Sequence, residues 1–174
     1  ATGYGVIYFL QSMLAHQDDN LSGKTVAVSG AGNVARHAAA KAIEEGATVV
    51  TLSDSRGTVH APEGLDDAHL DAVARIKADG GGLDRLAEEF DGIKHYQGER
   101  PWRFDCQVAL PCATENELEE DDARRLVRAF GHDIDADAGA FVDRLDHIGW
   151  VHDMAGDGAV NIDHHAVRAG DAGG

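Results

Sequence analysis

Residues 25–35 read Thr25-Val26-Ala27-Val28-Ser29-Gly30-Ala31-Gly32-Asn33-Val34-Ala35, and this stretch decides the fold. Its first half, Thr25–Gly30, is a short β-branched run closed by glycine, the make-up of a buried strand. Its second half opens an alanine-rich segment without breakers, Asn33–Glu45, which predicts a helix. Gly46 falls where a helix-terminating glycine is expected. A second β-branched run, Thr48-Val49-Val50-Thr51-Leu52, follows and closes on Ser53-Asp54-Ser55. Strand, helix and strand within about 30 residues form the βαβ unit of a parallel sheet. The expected class is α/β, a parallel sheet with helices on both faces, incomplete at its C-terminal end.

Gly30-Ala31-Gly32-Asn33-Val34-Ala35 has the form G-x-G-x-x-A between that strand and that helix, the setting in which a dinucleotide-binding turn works. Gly30 permits the tight turn, Gly32 lets the backbone approach a pyrophosphate, and Ala35 lets helix and strand pack closely. The helix N-terminus supplies unpaired N–H groups and the positive end of its dipole. The bland alternative is a strand–helix turn with no ligand. At the second strand end, Asp54 sits where an acid bonds the ribose 2′-hydroxyl of NAD, or simply caps a turn. NADP needs donors and positive charge for its 2′-phosphate, which Ser53, Ser55, Arg56 and Lys77 offer. The local residues leave both coenzymes open.

Outward from this unit, Val6, Phe9, Leu10, Met13 and Leu14 recur at helical spacing, so residues 1–16 predict a buried amphipathic helix, with Tyr4, Tyr8 and Phe9 as core packing. Downstream, Gly57–His60 predicts a short hairpin turning at Pro62-Glu63-Gly64. Helices are expected over Asp66–Lys77, Leu83–Phe90 and Glu119–Phe130, with a break at Gly80-Gly81-Gly82. Strands are expected over Ile93–Gln97 and Gln107–Pro111. From Gly131 the character changes: residues 131–174 hold nine Asp and five His but no Glu and no Lys. That separates an ordered region, 1–130, from a tail, 131–174, whose composition fits an unordered segment or a shifted reading frame of a GC-rich gene.

The 174 residues give room for one domain, and 43% hydrophobic with 26% charged residues is a globular mixture. No long apolar run and no basic N-terminal leader are present, so neither a membrane span nor a secretory signal is expected. Cys106 and Cys112 are too few for a disulfide framework, which suits a reducing cytoplasm. Cys112 has no partner base in the sequence and reads as a structural thiol. His147, His152, Asp163, His164 and His165 lack the i, i+4 spacing of a helical metal face, so no metal is expected. The net charge of −16, from 31 acids against 15 bases, disfavours nucleic acid and anionic membranes as partners. Asp-rich, Lys-poor composition fits both a GC-rich gene and a salt-rich cytoplasm. The tail carries nine acids and two bases, a net of −7, and residues 1–130 the remaining −9.

Five motifs in order carry a resemblance. Ala1–Phe9, Gly23–Lys41, Thr51–Ser55, Pro101-Trp102 and Ala109–Leu118 together resemble the coenzyme domain of hexameric glutamate dehydrogenases, and Ser53-Asp54-Ser55 resembles the NADP-dependent branch. The resemblance implies NADP, with NAD as alternative, and a reaction between L-glutamate and 2-oxoglutarate plus ammonia. It places Thr2 near the nicotinamide, and Gly30, Gly32, Asn33 and Val34 at the pyrophosphate turn. Asp54, Ser55 and Lys77 fall around the adenosine ribose and 2′-phosphate, and Ala113, Thr114 and Asn116 near the nicotinamide ribose. Departures are Glu115 in place of a glutamine, Gly80-Gly81-Gly82 in place of basic residues after Lys77, and the tail. The family's first domain, which carries the lysine and aspartate that activate substrate, is expected to lie outside this chain. No catalytic residue is therefore assigned within it. The full enzyme is implied to be a homohexamer, and this chain is expected to be a monomer or weak oligomer. The alternative is an inactive nucleotide-binding module or a non-functional fragment.

Overall fold

A computed structural model describes residues 2–114, 117–119, 121–122 and 125–126. In chain order it forms α1 (Thr2–Ala15), β1 (Thr25–Val28), α2 (Asn33–Glu44), β2 (Thr48–Asp54) and β3 (Gly57–His60). Then come α3 (Asp67–Ala78), α4 (Asp84–Glu89), β4 (Lys94–Gln97), a 3-10 turn at Pro101–Arg103 and β5 (Val108–Leu110). The strands form one sheet in the order β4-β3-β2-β1-β5. β1 runs parallel to both β2 and β5, as the βαβ pattern requires. The expected tail and most of the expected helix over 119–130 lie outside the described residues.

The sheet is mixed, which corrects the expectation of a parallel one: β3 is antiparallel to both β2 and β4. Asp54 pairs with Gly57, leaving a two-residue link, Ser55-Arg56, whereas a parallel crossover needs a dozen or more residues. The hairpin therefore turns at Ser55-Arg56 and not at Pro62–Gly64, which instead leads into α3. A side chain at Gly57 would strike the Tyr96 carbonyl of β4, so the tight edge requires glycine there.

Alternation along β1 and β5 separates two cores. Val26, Val28, Val108 and Leu110 join the larger one, under the helices, while Ala27 and Ala109 face Trp102, Cys106 and Leu126 on the other side. α2 ends as expected: Gly46, at φ +84, donates to Ile43 O, and Ala47 N–H reaches Ala42 O at 3.0 Å. These are the paired bonds of a glycine C-terminal cap.

α1 packs on α2 at very close range. Ala35, Ala38, Ala39 and Ala42 form the small-residue face of α2, and Gly3 meets it from α1. A Cβ at Gly3 would lie 2.6 Å from Val34 O and 2.9 Å from Ala38 N. The buried stripe of α1 is Gly3, Val6, Ile7 and Leu10, with Leu14 packed against the core, so Val6, Leu10 and Leu14 of the expected stripe lie on it and Phe9 does not. Tyr4, Tyr8 and Phe9 are consequently 41%, 56% and 42% exposed and are not core residues. Their rings lie off the contact line: Tyr4 meets His37 edge-on, and Lys41 Nζ lies over Tyr8 at 5.6 Å.

Gly3 and Gly5 therefore respond oppositely to an added side chain. Gly3→Val should lower unfolding free energy by about 1–3 kcal/mol through overpacking. Gly5→Ala, where a Cβ meets no atom within 4 Å, should raise it by up to about 1 kcal/mol. Urea unfolding of the two variants checks the contrast, and equal destabilisation would contradict the packing described.

Candidate functional site

β1 lies between β2, reached through α2, and β5, reached from the opposite side of the chain, so a crevice opens at the carboxyl ends of β1 and β5. The turn after β1 forms one wall, and Cys112-Ala113-Thr114 the other. Gly30 stands between them at φ +83, where a Cβ would lie 2.8 Å from Cys112 O and 3.1 Å from Ala113 Cα. Left-handed backbone and close approach both exclude a larger residue.

Four polar side chains fix this exit. Register between β1 and β2 shifts at Val26/Ala27, so regular pairing fails just before the turn. Hydroxyls of β2 replace it. Val28 N–H donates to Thr51 Oγ1 at 3.0 Å, and Gly30 N–H donates to Ser53 Oγ at 2.9 Å. On the β5 side, Cys112 N–H donates to Ser29 Oγ at 2.8 Å, and the Ser29 hydroxyl donates to Glu117 Oε1 at 2.7 Å. Sequence reading assigned no site role to Ser29, Thr51 or Glu117, and offered Ser53 as a donor to a 2′-phosphate, whereas its hydroxyl oxygen accepts from Gly30 N–H. Their available signal was three hydroxyl residues inside otherwise apolar strands.

Gly32 differs from Gly30. It is the N-cap of α2, with φ −80 and ψ −170, an ordinary conformation for any residue. A Cβ there would meet nothing within 4 Å. Neither backbone nor packing within the described chain demands glycine at this position. No side chain caps α2, so its first N–H groups, just beyond the carboxyl end of β1, lack an intrahelical partner. Asn33 and Val34 begin the helix, with Asn33 exposed and its Oδ1 accepting from Arg36 at 2.8 Å. Thr2 heads α1, adjacent to Gly3, which touches Val34. Ala113 and Thr114 are exposed on the opposite wall, and Asn116 lies outside the described residues.

The strand end after β2 is tied down. Asp54 Oδ2 accepts from Lys77 Nζ at 2.7 Å and Leu83 N–H at 3.1 Å, and Oδ1 accepts from Arg56 N–H at 2.9 Å. Asp54 thus caps the Ser55-Arg56 turn and holds Lys77 beside it. Ser55 and Arg56 edge a pocket of about 430 Å³ that Asp84, His95, Gln97 and Gly98 complete. Arg56 Nη1 lies 3.6 Å from Asp84 Oδ1, and a side chain at Gly82 would collide with that guanidinium. Of the glycines after α3, Gly82 thereby leaves room for Arg56.

Both thiols are held in the protonated, slowly reacting form. Burial pushes Cys112 up to about 12, helped by the Glu117 charge, and Cys106 up to about 11. His147, His152, Asp163, His164 and His165, weighed above as metal ligands, lie outside the described residues. Among the described residues, no helix is long and apolar enough to cross a membrane.

The family model for glutamate/leucine/phenylalanine/valine dehydrogenases matches residues 1–134. The chain belongs to this dehydrogenase family. It is 50% identical over 129 residues to an NADP-specific glutamate dehydrogenase of Haemophilus influenzae, a match covering 74% of this chain and 28% of that protein. An NAD-specific glutamate dehydrogenase of Bacteroides fragilis is 44% identical over 128 residues, covering 73% of this chain and 29% of its own length. The solved structure of Plasmodium falciparum glutamate dehydrogenase 2 superposes with a TM-score of 0.72 at 39% identity, over 75% of this chain and 29% of that one. The chain thus spans under a third of the length of these dehydrogenases. The likeness to the solved glutamate dehydrogenase agrees with the α/β, Rossmann-like reading of the fold.

In this dehydrogenase-family chain the Asp54 cluster also makes a pH prediction. Burial raises the Asp54 carboxyl, but the hydrogen bonds from Lys77, Arg56 N–H and Leu83 N–H outweigh it, holding the group below its ordinary value of 3.8. A carboxylate lowered on folding stabilises the fold above its unfolded pKa, and the contribution is lost as pH falls through the folded one. Urea midpoints should therefore fall below about pH 4 in the wild type and fall less steeply in Asp54→Asn. Parallel profiles would show that Asp54 carries no such linkage.

Proposed function

We propose that this chain forms the coenzyme-binding part of a glutamate dehydrogenase, residues 1–130 being its nucleotide-binding unit. The whole enzyme would convert L-glutamate, NADP and water to 2-oxoglutarate, ammonia and NADPH. Gly32 carries the reading: a glycine that the fold does not require, at an uncapped helix N-terminus facing the crevice. Such a glycine is explained by a ligand that needs the backbone bare, and N–H groups with the positive dipole end suit a pyrophosphate. When bound, the nicotinamide ring supplies the hydride chemistry.

The residues divide the coenzyme between them. Gly30, Gly32, Asn33 and Val34 cradle the pyrophosphate, and Thr2, Ala113, Thr114 and Asn116 flank the nicotinamide end. Asp54, Ser55 and Lys77 surround the adenosine ribose. Lys77 is engaged by Asp54, so Arg56, the more exposed cation, supplies charge for the 2′-phosphate. NADP is the favoured coenzyme and NAD the alternative. Substrate-activating residues are assigned to the remainder of the enzyme, a homohexamer, and the 174-residue chain alone is read as an inactive monomer or weak oligomer. Two free cysteines favour the cytoplasm, and the acid surplus of residues 1–130 a salt-rich one.

Fluorescence titration of the chain with NADPH and NADH tests this. Saturable NADPH binding should be lost in Gly32→Glu, which puts a carboxylate where the pyrophosphate sits. Arg56→Ala should weaken NADPH about tenfold, with little effect on NADH. Binding that survives Gly32→Glu would place the coenzyme elsewhere.

A further inference from the structure

We infer that Glu117 is a positioning residue that latches the two walls of the crevice together. The inference rests on reading that crevice as a dinucleotide site. Glu117 Oε1 accepts from the Ser29 hydroxyl at 2.7 Å and from Ala113 N–H at 3.1 Å. Ser29 Oγ in turn accepts from Cys112 N–H at 2.8 Å. One carboxylate oxygen and one hydroxyl therefore join the exit of β1 to the exit of β5, between residues 83 and 88 positions apart in the chain. Glu117 is itself held from behind. Arg100 Nη1 donates to its backbone carbonyl at 3.1 Å, and the same guanidinium pairs with Asp122 and Glu119, each at 2.7 Å.

The latch answers a local weakness. β5 has three residues and pairs with β1 from Val108 to Leu110, so the wall beyond Leu110 has little sheet to hold it. Yet Ala113 and Thr114 must keep a fixed distance from the Gly30–Gly32 turn if one ligand is to touch both. Gly30 already fits closely under Cys112 O, so a small displacement of that wall would open or block the crevice. Electrostatics alone would not choose an acid here, because a carboxylate beside a pyrophosphate site opposes the ligand. What the position needs is one oxygen that reaches two donors at once. A glutamine carbonyl offers the same acceptor without the charge, and alanine offers none.

That difference sets the experiment, made on the full chain with NADPH titration and with iodoacetamide alkylation of each cysteine followed by mass spectrometry. Cys112 N–H is part of the latch, so the Cys112 rate reports the wall independently of coenzyme. Glu117→Ala should weaken NADPH binding about tenfold and speed alkylation of Cys112 by a similar factor, leaving Cys106 unchanged. Glu117→Gln should return both to within about threefold of wild type. Ser29→Ala, a smaller deletion, should shift both in the same direction as Glu117→Ala and serves if that variant does not fold. An unchanged Cys112 rate in Glu117→Ala, or a Gln variant as defective as the Ala variant, overturns the latch. Faster alkylation of both cysteines also overturns it, as general loosening. Should wild type bind no NADPH, the dinucleotide reading falls, and the Cys112 rates decide the latch alone.

Discussion

The exit of β1 is the constraint on which the rest of the structure depends. Gly30 must turn the chain at φ +83 while lying directly beneath the Cys112 carbonyl, and it must do so where the β1–β2 register has just slipped. A buried N–H left without an acceptor there would cost roughly 1–3 kcal/mol. Thr51 and Ser53 supply the missing acceptors from β2, and Ser29 turns the other way to hold the β5 wall. Removing these hydroxyls would strand the backbone groups they hold. The uncapped end of α2 can therefore face the crevice at a fixed position.

The proposed pyrophosphate site, in a chain of net charge −16, needs its own account. The turn meets it with neutral groups: backbone N–H donors and a helix dipole do not draw nearby acids into competing ion pairs as lysines would. Asp54, the acid proposed to lie at the ribose end, is occupied by Lys77 and two backbone N–H groups. Arg56 reaches the same region because Gly82 leaves its guanidinium room. The charge of the chain thus opposes anions at long range, while the geometry of the turn favours one at short range, where the Debye length of about 8 Å makes local contacts decisive.

How much of this was legible in the sequence follows from the range of the interactions. The turn Gly30–Ala35, the cap at Gly46 and strands β1 and β2 are written in neighbouring residues, and their reading agrees with the structure. The class was readable too, since a βαβ unit has few alternatives. The turn of the hairpin at β3 was misplaced because the two-residue link at Ser55-Arg56 was hidden by a stronger-looking turn at Pro62–Gly64. Tyr4, Tyr8 and Phe9 were misplaced because Gly3 brings α1 close to α2 and the buried line runs through Gly3, Val6, Ile7 and Leu10, leaving those rings beside it. The latch through Ser29 and Glu117 joins positions 88 apart, and no local pattern announces it.

The central claim is that the N-terminus of α2 and the Cys112–Thr114 wall grip one dinucleotide. Amide-resolved NMR titration of the isotope-labelled chain with NADPH measures it most directly. The account predicts that the largest saturable shifts fall on Gly30, Gly32, Asn33 and Val34 from one wall, and on Ala113 and Thr114 from the other, with one common affinity. Saturable binding that leaves those amides unmoved, or that moves one wall without the other, would contradict it.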